Sequence, residues 1–181
     1  MPRLSPFPAP ATLPDAHGSA ALAAAETVLA HLSGRAPLRI TSVSLADDPA
    51  AGPAVRYALA PDLDALRANR GLLEDMVMAA LAAPVAAEML GLAPAHGAAS
   101  PPAAGRDARS LLDAALTEPE EREALDAYLS VLTARTRAQV RRAWAEIGVV
   151  AAGLREHGTL DAQEVRHRVA CAQGIRGTLL N

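Results

Sequence analysis

Lysine is absent from this chain, whose 181 residues carry only arginine among their 17 Lys and Arg positions. Against 20 acidic residues this leaves a net charge of −3. A mild acidic balance argues against a dedicated nucleic-acid binder, which concentrates positive charge on one face. Cysteine is almost missing as well. Cys171 alone permits no internal disulfide and fits a reducing compartment, so a cytoplasmic location is expected. With no activating imidazole read beside it in the sequence, Cys171 is expected as a small buried side chain. Aromatic residues make up 2% of the chain, so the core has to be built from small side chains on closely approaching helices, with Leu and Val filling the gaps. That favours helices over sheets.

Long apolar runs are missing too. The most hydrophobic window, Met76–Ala93, is interrupted by Pro84 and Glu88, whereas a membrane span needs roughly 20 predominantly apolar residues. Met1–Asp15 is broken by Pro2, Pro6, Pro8, Pro10 and Pro14 before a secretory signal could form. What is abundant is alanine, within a chain that is 51% hydrophobic and 20% charged. This length supports one buried core. The expected organisation is a Pro-rich disordered tail over 1–16, a single helical domain over 17–172 and a C-terminal tail over 173–181.

The organising stretch is Ala20–Leu45. An apolar helix pattern through Leu22, Val28, Leu29 and Leu32 closes at Ser33-Gly34-Arg35, where glycine makes a left-handed C-terminal residue sterically cheap. Pro37 stops any continuation, and Leu38–Leu45 alternates in the period-two manner of a half-buried strand. A turn cluster over Asp47–Pro53 leads to a second alternating run, Ala54–Leu59, so the pair reads as a hairpin or small sheet edge. Pro61-Asp-Leu-Asp starts a short helix or turn. Gly71–Leu90 is a second strong helix that Pro84 should kink or divide. Gly91–Gly105 is a Gly/Pro/Ala/Ser loop holding His96, expected in solvent.

Arg106–Leu116 resumes helical spacing. Thr117-Glu-Pro-Glu-Glu then looks like a fresh start with Thr117 as cap and Pro119 in the first turn. The pattern continues to Leu154 as one long helix or two abutting ones, with Trp144 expected as a core residue. Arg135, Arg137, Arg141 and Arg142 form a basic cluster there, able to contact a partner's acids or to make a solvated face with Glu146 nearby. His157-Gly158 closes this helix, Thr159-Leu-Asp161 begins another, and Glu164–Ala172 completes it. The fold class expected is mainly α (α+β): a helical domain with a small β-hairpin or short sheet after the first helix.

In this order the residues resemble the zinc-peptidase domain of the membrane-bound AAA proteases of the FtsH type. Ala30-His-Leu-Ser-Gly-Arg35 resembles the end of that family's zinc-binding helix, and Thr41-Ser-Val-Ser-Leu45 its following strand. Val55-Arg-Tyr57 is similar to the hairpin return and Ala83-Pro-Val-Ala-Ala-Glu88 to the apolar helix. Gly105-Arg-Asp107-Ala resembles the segment bearing the third zinc ligand, and Gly158-Thr-Leu-Asp-Ala-Gln-Glu164 the closing turn. The resemblance implies a metallopeptidase-like fold over roughly Ala20–Val169.

The departures bear on activity. In such enzymes two His one turn apart grip zinc while a Glu activates water. Counting back from Gly34, that motif falls near Leu22-Ala-Ala-Ala-Glu26, which holds no His. Sliding the register puts His17 first, with Ala21 as its partner. Asp107 alone survives as a candidate ligand, and one carboxylate cannot hold catalytic zinc; it also suits a helix cap. No Gly-x-x-x-x-Gly-Lys phosphate loop is present either.

No catalytic, cofactor or metal residues are therefore assigned. The expected role is a catalytically inactive peptidase-like binding or scaffold protein, with a protein partner and a possible homo-oligomer. Alternatives are a non-zinc hydrolase using a residual cleft of Glu26, His31 and Asp107, with His17, or an Ala-rich helical assembly component of a phage or organelle.

Overall fold

The structure is a computed structural model that describes residues 16–45, 54–59, 62–92 and 107–179. Residues 1–15 of the tail expected over 1–16, the Asp47–Pro53 turn cluster and His96 in its loop lie outside these residues. The protein is mainly helical, with a small antiparallel sheet following the first helix.

Helix α1 (Ala16–Ser33) is the centre of the molecule. Ala20, Ala23, Ala24, Ala25, Thr27, Val28, Leu29 and Ala30 are all buried, so its middle is enclosed almost all the way round. A helix that is buried on every side is a core element. Its methyl-sized side chains let α3 (Arg70–Met89) and α7 (Trp144–His157) lie close against it. Gly34 ends α1 at φ 65°, the left-handed conformation the sequence implies.

After a short 3-10 turn at Ala36–Leu38, strand β1 (Ile40–Ser44) pairs antiparallel with β2 (Ala54–Tyr57). A third strand, β3 (Thr159–Asp161), joins the other edge of β1, giving the order β2-β1-β3. Val43 stands opposite both Val55 and Leu160, and all three are buried. That apolar row fixes the register, because a shift of one residue would turn it to solvent. Thr159-Leu-Asp161 was expected to begin a helix, and this is corrected: a three-residue strand carries no readable period of its own. The helix begins at Asp161, whose Oδ1 accepts from the backbone N–H groups of Gln163 and Glu164 at 2.7 and 2.9 Å while Glu164 Oε2 accepts from the Asp161 N–H at 3.0 Å. This reciprocal box starts α8 (Ala162–Leu179). Helix α8 passes through Gly174 to Leu179, well beyond the expected end at Ala172. Gly174 is not in the left-handed region, and an interior glycine weakens a helix by only about 1 kcal/mol.

Asp62 caps α2 (Leu63–Ala68), accepting from the Asp64 N–H, and Asn69 caps α3 in the same way through the Leu72 N–H. Pro84 does not divide α3, which stays one helix to Met89. The long stretch expected after Thr117 is cut into α5 (Pro119–Glu123), α6 (Leu125–Arg142) and α7, with breaks at Ala124 and Ala143. Glu118, not Thr117, occupies the cap position of α5, and it makes no side-chain cap bond. Gly158 closes α7 at φ 72°. Among the described residues no helix is long and apolar enough to cross a membrane.

Candidate functional site

The positions where the peptidase resemblance calls for a zinc motif are built of small buried groups. Ala23, Ala24 and Ala25 are within 2% of complete burial and belong to one continuous apolar cluster with α3 and α7 residues. Thr27, also fully buried, has a hydroxyl Oγ1 with no hydrogen-bond partner among the described residues.

The residual-cleft residues face different neighbours. The Tyr57 hydroxyl donates to Glu26 Oε1 at 2.6 Å, tying α1 to β2. His31 is half-buried; burial first, and then the positive charge of Arg166 on α8, hold its imidazole below the ordinary pKa. Asp107 is the N-cap of α4 (Ala108–Ala115), accepting from the Ser110 N–H at 2.9 Å and the Ser110 hydroxyl at 3.0 Å. Helix α4 packs chiefly against α3, α2 and α6. His17 sits exposed in the first turn of α1. Glu26, His31 and His17 all lie on α1, whereas Asp107 caps α4. Among the described residues no three His, Cys, Asp or Glu make a group able to hold a metal ion.

A different site does converge. Where α6 stops at Arg142 and α7 begins at Trp144, a cavity of about 480 Å³ opens between the C-terminal end of α1, the middle of α3 and α8. Leu29, Leu32, Met78, Ala79 and Ala143 supply an apolar wall. Ser33, Asp75, Gln139, Arg142, Glu146 and Gln173 supply polar groups. The volume lies within the range of roughly 300–1,000 Å³ typical of small-ligand pockets. Glu146 is 1% exposed, an unusual placement for a carboxyl group and the one charged residue of the described core. Asp75 is held through Oδ2 by the half-exposed Arg35, 2.8 Å away.

Glu146, expected near a solvated face of arginines, is itself buried. Glu146 lies three residues after Ala143 and four before Val150, both buried, so the stripe Ala143, Glu146, Ile147, Val150, Leu154 was available as a signal that a carboxyl group interrupts an apolar face. Asp75, Gln139 and Gln173 gave no such signal, being separated along the chain and joined only by packing.

The arginine cluster divides by function. Arg135 pairs with Glu74 at 2.5 Å and Arg137 with Glu88 at 2.6 Å, so both clip α6 to α3. Arg142 lines the cavity, while Arg141 is exposed. Trp144 is also corrected: at 36% exposure it is partly in solvent at the start of α7. Cys171 is exposed, not buried, with Sγ 3.6 Å from Nε2 of His167 one turn earlier.

Beside Arg135 the Tyr128 hydroxyl donates to Glu74 Oε1 at 2.8 Å, and the Arg70 guanidinium lies 5.7 Å from the Tyr128 ring centroid. Burial, the bond to Glu74 and that group's charge push the phenol up to about 12. Burial raises Glu74, but hydrogen bonds from Tyr128 and Arg135 and the charges of Arg135 and Arg70 outweigh it and leave the carboxyl low. This arrangement is a helix-to-helix clamp.

No family model and no curated protein matches this chain.

Proposed function

We propose that the protein is a catalytically inactive peptidase-like domain that acts in the cytoplasm as a binding or scaffold protein for a protein partner, descended from a zinc peptidase of the FtsH-associated type. The observation that carries this reading is the packing of α1. The segment from Leu22 to Glu26 aligns with the zinc motif, and its centre is filled by buried alanine methyl groups. The helix is followed by a left-handed Gly34, a strand pair, an apolar helix and an Asp107-capped helix, in the order the resemblance implies. With Glu26 bonded to Tyr57 on β2 and Asp107 bonded to Ser110, both of these candidate cleft residues serve structure. That engagement disfavours a hydrolase built on Glu26, His31 and Asp107.

Metal analysis and casein cleavage on purified protein test the reading. The expected result is no stoichiometric zinc after incubation with zinc and extensive buffer exchange, together with no cleavage. One zinc per chain accompanied by proteolysis that a chelator abolishes would overturn it.

A further inference from the structure

We propose that His167 and Cys171 on α8 form half of a tetrahedral zinc site, which a second copy of the chain completes with its own His167 and Cys171.

Zinc takes nitrogen and sulfur ligands, and two ligands one helical turn apart share a face and can grip one ion. His167 and Cys171 are four residues apart on α8, and both are exposed. Nε2 of His167 and Sγ of Cys171 stand 3.6 Å apart. On a tetrahedral ion with bonds of about 2.0–2.1 Å to nitrogen and about 2.3 Å to sulfur, two such ligand atoms are about 3.5–3.6 Å apart. The pair is thus already at the spacing that zinc requires. Binding breaks the S–H bond of Cys171 and sends its proton to solvent, while the thiolate and the neutral imidazole each give an electron pair to the metal.

One chain supplies two of the four ligands of a closed zinc site, and among the described residues no third His, Cys, Asp or Glu joins them. The rest of this helix face says where the other two come from. His167, Ala170, Cys171, Gly174 and Ile175 follow the i, i+3, i+4, i+7, i+8 spacing of one stripe, and all five are exposed. Ile175, at 62%, is the most exposed large apolar side chain of the described residues, and a Cβ placed on Gly174 would meet open space. The opposite stripe of Val165, Val169 and Ala172 is the one that α8 buries. Helix α8 therefore has a second, outward apolar face whose small side chains let another helix come close. A two-fold axis through that face sets the same pair from each copy around one ion. Two thiolates balance the charge of one zinc ion, so the shared site adds no net charge to the seam.

The test is sedimentation of the full chain under reducing conditions, at high chain concentration, with zinc chloride added stepwise and then removed by a chelator. The mass is expected to double from that of one chain to that of two, to saturate at one zinc per two chains, and to return to one chain with the chelator. His167→Ala and Cys171→Ser, both at exposed positions that leave the melting temperature unchanged, should each abolish the zinc-dependent doubling. Ile175→Glu keeps both ligands but sets like charges against each other across the seam, and should weaken the dimer at least about tenfold. A chain that stays monomeric with zinc, a dimer that persists with the chelator or in Cys171→Ser, or an unweakened Ile175→Glu dimer overturns the proposal. A catalytic zinc would instead bind one per chain in the monomer and survive Cys171→Ser, so this proposal and the inactive-peptidase reading fail separately. Extensive exchange at low chain concentration separates the copies and empties a site they share.

Discussion

Returning an imidazole to α1 tests the packing on which the functional reading stands. Ala24 is fully buried where α1 meets α3 and α7, and the positions four residues apart, Ala20 and Ala24, share a helical face. Ala24→His inserts a five-membered ring where a methyl group now fills the space. Overpacking a filled core costs about 1–3 kcal/mol. A ring nitrogen buried without a partner costs about 1–3 kcal/mol more. The combined loss of about 2–6 kcal/mol is a large share of the roughly 5–15 kcal/mol that holds a domain together. At about 2–4 °C per kcal/mol for a chain of this size, the melting temperature should fall by about 5–20 °C. Leu22→His, at a half-buried position of the same helix, should cost less than about 2 kcal/mol. Circular-dichroism melts and urea titrations of both variants, with and without zinc, provide the assay. An Ala24→His protein that melts within about 2 °C of the parent, or an Ala20→His/Ala24→His protein that is stabilised by zinc, would show that the slot is open and refute the reasoning.

Further outcomes follow from the same structure. Tyr128→Phe removes a 2.8 Å bond to Glu74 and should cost about 1–2 kcal/mol in urea at neutral pH, held to that figure because both groups are partly exposed; a loss below about 0.3 kcal/mol would dismiss the clamp. Glu74 is lowered in the folded state, so its contribution is present above the unfolded carboxylate range and fades as pH falls through the folded value, whereas Tyr128 is raised, so its contribution holds below about pH 10 and fades as pH climbs through about 12. Thr27→Val replaces a buried hydroxyl that has no partner among the described residues with a methyl of similar shape, and should raise stability by about 1 kcal/mol; a loss instead would mean that the hydroxyl is satisfied. Gly158→Ala, forced to adopt φ 72°, should lose about 1–2 kcal/mol, read as a lower urea midpoint, while an unchanged midpoint would argue against the left-handed turn. The folded state lowers the pKa of His31, so the unfolded chain takes up a proton first and stability should decline as pH drops below about 6.5; in His31→Gln that segment of the pH profile should flatten.

Much of the helical framework was legible in the chain because its signals are local. Gly34 and Gly158 end helices by backbone geometry, Asp62 and Asp107 start them by accepting from nearby N–H groups, and the alternating runs around Val43 and Val55 report a sheet with one face buried. The third strand was not legible, since Thr159–Asp161 is too short to show a period and pairs with a partner more than a hundred residues away. The breaks at Ala124 and Ala143 carry no proline or glycine, so nothing local marked them.

The site divides along the same line. The sequence by itself determined that α1 lacks the paired His of a zinc motif, that Glu26, His31 and Asp107 exist as candidates, and that small side chains would bring helices close. Only the tertiary structure decided that Glu26 answers Tyr57, and that Asp75, Gln139, Glu146 and Gln173 share one cavity. The reason is that capping and periodicity are set by residues within a turn or two of each other. The surroundings of a side chain are set by which helices pack together, and that is a property of the whole core.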